Sequence, residues 1–270
     1  MKRFILPFIA ILFLTGCSTQ PLLVNNQNVQ PQTIINTNTP SAETEQITNI
    51  NENSEKPEQP ININTNTNET LPAQPAKFDI RVPFASQAPL GDWSMPYQEA
   101  CEEASMIMAA RYFKNDNLNN NIMAEEILKL VKWEEDNGYP LDLTAAQVVE
   151  VLEKYFGLKS SLNKIVSETE IKKNLVAGGL IIVPLAGRDI GNPYYTQPGP
   201  LYHMLLIRGF DEEDFITNDP GTKRGEAYRY KYGDLLWAVH DWVGGSREFH
   251  DPRPEPDMQT GARVMVVVEK

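Results

Sequence analysis

The chain has 270 residues, with 24 Lys and Arg against 36 Asp and Glu for a formal net charge of −12, and only two cysteines. That length fits one or two domains, and two cysteines cannot staple so long a chain through disulfides. A pI of about 4.8 and a mean hydropathy of −0.38 argue against a surface that grips nucleic-acid phosphates and against a multi-spanning membrane protein.

At the start, Lys2 and Arg3 precede an apolar stretch from Phe4 to about Leu14, then small residues and Cys17. This is the pattern of a secretory signal and is too short to be a span. Leu14-Thr15-Gly16-Cys17 resembles the bacterial lipobox, which implies that residues 1–17 are a lipoprotein signal peptide and that Cys17 carries acyl chains. Two or more chains, at about 0.8 kcal/mol per buried methylene, give a stable anchor. The expectation is an extracytoplasmic protein, lipid-anchored to the cell membrane or outer membrane.

Residues 18–77 shift to Asn, Thr, Gln, Pro and Ile, with near-repeats such as Ile61-Asn62-Ile63-Asn64-Thr65-Asn66. Ordering a residue costs roughly 1–2 kcal/mol, and this stretch has too little apolar surface to offset it. It is expected to be a disordered tether with a reach of roughly 40–60 Å. Residues 78–270 are long enough for one domain with a single core.

Within that domain the pattern predicts a strand at Phe78–Phe84, then a turn-rich loop through Pro89, Gly91 and Pro96 that ends at Cys101. Helical periodicity follows over Ala100–Phe113, Ile122–Glu135 and Thr144–Phe156, with Thr144 as N-cap and Gly157 as stop, and again near Glu168–Ala177. Strands are predicted at Leu180–Leu185, Tyr202–Gly209, Phe215–Asn218, Glu226–Tyr230 and Ala262–Val268, with a short helix at Gly233–His240. Helices followed by an antiparallel sheet is an α+β order.

Cys101 sits where the Pro-rich loop enters a helix, and the positive end of a helix lowers a thiol pKa. A thiolate nucleophile also needs a base. Of the three histidines, only His203 lies inside an apolar strand pattern, while His240 and His250 read as surface or local capping residues. Downstream, Phe215-Ile216-Thr217-Asn218-Asp219 returns as the second arm of a hairpin. If Phe210 pairs with Phe215, Asp219 falls about three positions, roughly 10 Å, short of His203, so contact needs a bulge or another register. Asp219 is the nearest carboxylate to orient the imidazole, with Asn218 as its rival.

Cys101, His203 and Asp219 in that order, with Gln87 upstream, resemble the C39-like branch of papain-fold cysteine peptidases. The resemblance is carried by Val82-Pro83-Phe84-Ala85-Ser86-Gln87, Trp93, Ala100-Cys101-Glu102-Glu103-Ala104-Ser105, Tyr202-His203-Met204-Leu205-Leu206-Ile207-Arg208-Gly209-Phe210 and Asn218-Asp219-Pro220-Gly221. It implies a papain-like α+β fold, with a helical lobe carrying Cys101 and an antiparallel sheet lobe carrying His203 and Asp219. It also implies a Cys101-His203-Asp219 triad, with Gln87 and the Cys101 backbone N–H stabilising the oxyanion.

The sequence departs from the family pattern where Glu102 and Glu103 follow the nucleophile in place of Gly. Two carboxylates there oppose a thiolate. The spacing from Gln87 to Cys101 is also long, which leaves Gln98 as a rival oxyanion donor. Tyr194, Tyr195 and Tyr202 either line a substrate cleft or pack. The expected activity is hydrolysis of a peptide or isopeptide bond in a peptide or protein substrate, by a monomer held to the membrane through Cys17. No nucleic acid, metal or cofactor is expected. The alternative is a catalytically silent domain that binds peptides or cell-wall components.

Overall fold

The computed structural model describes residues 75–247 and 251–270. The expected signal peptide with Cys17, most of the expected tether, and His250 lie outside the described residues. In chain order the elements are β1 (Phe78–Asp79), α1 (Cys101–Lys114), α2 (Asn120–Asp136), α3 (Ala145–Lys154), β2 (Lys159–Asn163), α4 (Glu168–Val176), β3 (Leu180–Ala186), β4 (Tyr202–Phe210), β5 (Asp214–Asn218), β6 (Tyr228–Lys231), α5 (Tyr232–Ala238) and β7 (Met265–Glu269). This is the α+β order expected from the sequence.

All the strands join one antiparallel sheet in the order β2-β7-β3-β4-β5-β6, with β1 added alongside β4. β3 and β4 are buried along their whole length, because helices cover both faces. Tyr202, Met204 and Leu206 face Ile107, Ile127 and Leu152 of α1–α3. Leu205 and Ile207, one residue out of phase, pack with Ile171 and Leu175 of α4 and Leu235 of α5. Truncating any one of these buried aliphatics to alanine costs about 2–5 kcal/mol.

Helix starts follow the local chemistry. Asn119 and Ser167 cap α2 and α4, and Thr144 forms a capping box with Gln147 at α3. Gly157, at φ +68°, turns the chain after α3. α1 differs, because Ala100 at its N-cap offers no side-chain acceptor.

The strand expected at Phe78–Phe84 forms only over Phe78–Asp79. Pro83 has no N–H to give a ladder, and the carbonyls of Val82 and Pro83 accept instead from Asn218 Nδ2 at 3.2 and 3.4 Å. β2 was not expected, since Lys-Ser-Ser-Leu-Asn holds a single apolar residue; it forms as an edge strand along β7. The last strand begins at Met265 rather than Ala262, and β6 begins at Tyr228 because Ala227 (φ +51°) still belongs to the turn.

The β4–β5 hairpin pairs Phe210 with Phe215 as expected, but the register shifts between Ile207 and Gly209. Arg208 is the extra residue. Its guanidinium clasps Asp79 in β1 through Nε at 2.9 Å and Nη2 at 3.1 Å. The bulge draws the β5 side one residue towards His203. The chain then leaves the ladder after Asn218 into a turn closed by the Asp219 N–H on the Gly225 carbonyl.

Candidate active site

Cys101, His203 and Gln87 line one cavity of about 870 Å³, together with Trp93, Tyr194 and Tyr202. Each arrives from a different element. Cys101 is the first residue of α1, reached through the single turn Tyr97–Glu99. Among the described residues no group accepts the Cys101 backbone N–H, so the positive end of α1 opens at the sulfur.

His203 is the second residue of β4, opposite Leu185 of β3, and only 2% exposed. Strand alternation puts it on the same face as Leu205. Its Nε2 meets Asp219 Oδ1 at 2.9 Å, while Nδ1 has no hydrogen-bond partner among the described residues. Tyr195 stands edge-on to the imidazole with ring centroids 5.3 Å apart. Gly221 covers the ring's other contact: a Cβ there would lie 2.9 Å from His203 Cε1.

Asp219 is fully buried and accepts five hydrogen bonds. Oδ1 takes His203 Nε2 and the Gly221 N–H, each at 2.9 Å. Oδ2 takes Asn192 Nδ2 at 2.9 Å, Tyr195 Oη at 2.7 Å and Tyr230 Oη at 2.5 Å. Burial alone would push this carboxyl up, but the imidazole and the two phenol hydroxyls outweigh it and hold the group below the usual carboxylate range. The same burial, next to that carboxylate, pushes both tyrosines well up, so they remain donors. Asn218 does not reach the imidazole; its amide holds Val82 and Pro83 and accepts the Ala227 N–H.

Two of the cavity side chains predicted as site residues have other hydrogen-bond partners. Cys101 Sγ donates to Glu102 Oε2 at 2.9 Å. Burial first, then the charge of Glu102 and its hydrogen bond, push the thiol well above its ordinary value. Gln87 Nε2 spends both hydrogens on the carbonyls of Tyr97 (3.1 Å) and Gln98 (2.8 Å), while its Oε1 is buried without a partner. Gln98 also lines the cavity.

His240 is not a surface residue. It is 8% exposed, with Nδ1 on the Gly261 carbonyl at 3.0 Å and its N–H on the Pro184 carbonyl, because the chain after α5 crosses back over the end of β3. The tyrosines divide between roles. Tyr195 serves Asp219, Tyr202 is buried with its hydroxyl on the Leu143 carbonyl at 2.8 Å, and Tyr194 is exposed under Arg224, whose guanidinium sits 4.7 Å from the ring centre. Asn192 and Tyr230 were not read from the sequence as site residues, and nothing local marks either. They lie in a Gly/Pro loop and on β6, and only the fold brings both to one carboxylate.

An imidazole fastened at Nε2 and free at Nδ1 can take a proton from a thiol and return it to a leaving group, and the buried carboxylate stabilises its cationic form. Among the described residues no group of His, Cys, Asp or Glu is placed to hold a metal ion, and no helix is long and apolar enough to cross a membrane.

Comparison with curated proteins finds none that matches the chain. Among solved structures, the chain is similar to a provisionally assigned C39-like peptidase from Bacillus anthracis, at 13% identity and a TM-score of 0.46, over 72% of this chain and 98% of that one. The family model of the Peptidase_C39 like family matches residues 79–242, a span that contains Gln87, Cys101, His203 and Asp219. With more than half of its length matched, the chain belongs to the Peptidase_C39 like family.

Proposed function

We propose that the chain is a cysteine peptidase in which Cys101 attacks a peptide or isopeptide carbonyl. The observation that carries this reading is the buried imidazole of His203. Its Nε2 is tied to Asp219 and its Nδ1 is left open, in the same cavity as the one cysteine among the described residues.

His203 Nδ1 takes the proton as the Sγ–H bond breaks and the S–C bond forms. The oxyanion is met by the Cys101 backbone N–H at the start of α1. Nδ1–H then protonates the leaving amine, which gives a thioester, and water activated by the same nitrogen hydrolyses it. Asp219, held by five donors, keeps the imidazole in one tautomer. Gln87 joins as a second oxyanion donor by releasing one of the two carbonyls it holds at rest.

The neutral thiol on Glu102 and the committed Gln87 amide support a second reading, a domain that binds peptides in this cavity without cleaving them. Incubating a mixed peptide library with the full chain, Cys101→Ala and His203→Ala separates the two by mass spectrometry. The peptidase reading predicts new termini with the parent protein only. Retention of intact peptides by all three proteins, with no new termini, would establish the binding reading.

The lipobox-like Leu14-Thr15-Gly16-Cys17 supports placing this domain outside the cytoplasm on a lipid anchor, with residues 18–77 as the tether. Incorporation of a labelled fatty acid, lost in Cys17→Ser, tests that assignment.

A further inference from the structure

The groups around the sulfur are not those of an open Cys–His pair. Glu102 turns back along the first turn of α1 and puts Oε2 2.9 Å from Cys101 Sγ, while its Oε1 accepts the Leu143 N–H at 3.1 Å. A carboxylate pinned at one oxygen by backbone and spending the other on a thiol is a built contact. It is 1% exposed. Leu143 is held in turn from the sheet, since its carbonyl accepts the Tyr202 hydroxyl, which ties Glu102 to the strand that carries His203.

We propose that Glu102 sets the reactivity of the nucleophile: its carboxylate holds the Cys101 proton on sulfur, and the Cys101-His203 pair forms only when the Sγ–H turns from Oε2 to Nδ1. The inference rests on the peptidase reading, in which Cys101 attacks and His203 is the base. In the step concerned the Sγ–H bond breaks and an Nδ1–H bond forms, leaving a thiolate and an imidazolium. The Glu102 charge does not change, but it faces the new thiolate and opposes it.

Of the other titratable groups near Glu102, Glu103 and Glu99 favour a neutral sulfur too. Glu103 lies beside Glu102 on α1, Glu99 in the turn ahead, Asp142 in the loop before α3 and Glu134 on α2, with the Tyr202 phenol on β4. Asp142 in turn feels the nearby cation of Arg247. Burial and the neighbouring acids push the Glu102 carboxyl well above its ordinary value. The hydrogen bond from the Cys101 thiol acts the other way and favours the Glu102 carboxylate, while burial and that carboxylate favour the neutral thiol.

The test is the pH profile of iodoacetamide alkylation at Cys101 in the full chain, read on the Cys101 peptide by mass spectrometry so that Cys17 does not contribute. Glu102→Gln keeps the shape and removes the charge. Its profile is expected to move to lower pH by about one unit or more, with the rate at pH 7 rising about tenfold. Glu102→Asp keeps the charge but draws it back from sulfur, and it gives a smaller shift; it stands in if the amide variant does not fold. A profile unchanged or moved to higher pH in either variant overturns the proposal. His203→Ala, run beside them, separates the two levels. If it leaves the parent profile unmoved, the Cys101-His203 pair is wrong whatever Glu102 does, whereas a moved His203→Ala profile with an unmoved Glu102→Gln profile discards Glu102 alone.

Discussion

Asp219→Asn changes one atom of the site and has a consequence that follows from its five donors. The carboxylate accepts at both oxygens, from His203 and Gly221 on one side and from Asn192, Tyr195 and Tyr230 on the other. An amide keeps one acceptor. If its oxygen stays towards His203, its NH2 meets the Asn192 NH2, and only the two hydroxyls can turn round to accept. Hydrogen bonds to a charged group contribute about 1.5–3 kcal/mol each and an unsatisfied buried donor costs about 1–3 kcal/mol, so a net loss of about 2–4 kcal/mol is expected. For a domain of this size that is a fall of roughly 4–16 °C in Tm.

The loss should depend on pH with a definite sign. The folded Asp219 carboxyl lies below its ordinary value, so its contribution is full above the unfolded carboxylate range and disappears as pH falls through the folded value. Urea denaturation followed by circular dichroism at pH 7 and again near pH 3 measures both. The parent should exceed the variant by the stated amount at pH 7 and by clearly less at pH 3. Equal stability at pH 7, within about 0.5 kcal/mol, would refute the reasoning, because surface-like changes fall in that range.

Three further outcomes follow from single contacts. Gly221→Ala would put a methyl 2.9 Å from His203 Cε1 and 3.0 Å from Tyr195 Cε1; displacing the imidazole by about 1 Å is expected to lower the cleavage rate about 100-fold, read as kcat on any peptide found in the library. Glu134, pushed up to about 8 by burial and by the charge of Glu102, makes the parent lose stability as pH rises from about 4.3 to 8. Glu134→Gln should flatten that slope in urea melts and be the more stable protein at pH 8, with the difference gone near pH 4. Arg208→Ala removes the clasp on Asp79 that holds β1 to the bulge, and a cost of about 1–3 kcal/mol is expected from thermal melts.

Residues whose local chemistry decides their structure were legible in the sequence. The helical period and the Thr144 and Gly157 signals placed α3 to within two residues at either end, and the apolar runs placed β3 and β4. β2 was not legible, because an edge strand with one apolar residue among Lys, Ser and Asn is specified by its partner β7 and not by its own pattern. In the site, Cys101 and His203 were found from a loop-to-helix junction and a histidine within an apolar strand. The link to Asp219 required a bulge that no turn signal announced: Arg208 is the extra residue, and its partner Asp79 lies 129 residues away. Asn192, Tyr195 and Tyr230 converge on one carboxylate from separate parts of the chain, and such convergence is a property of the fold. Glu102 was legible as an acid beside Cys101, but the second contact that holds its carboxylate comes from Leu143, 41 residues away.

Trapping the covalent intermediate tests directly whether Cys101 attacks the substrate carbonyl. A reactive peptide ester is mixed with the full chain and quenched in acid within a turnover, and the adduct is located by mass spectrometry in the parent, Cys101→Ser and His203→Ala. A thiol hydrolase of the arrangement described predicts an acyl group on Cys101 in the parent, absent from Cys101→Ser and much reduced in His203→Ala. Hydrolysis of the ester without an adduct at Cys101, or an equal adduct in the parent and His203→Ala, would contradict it.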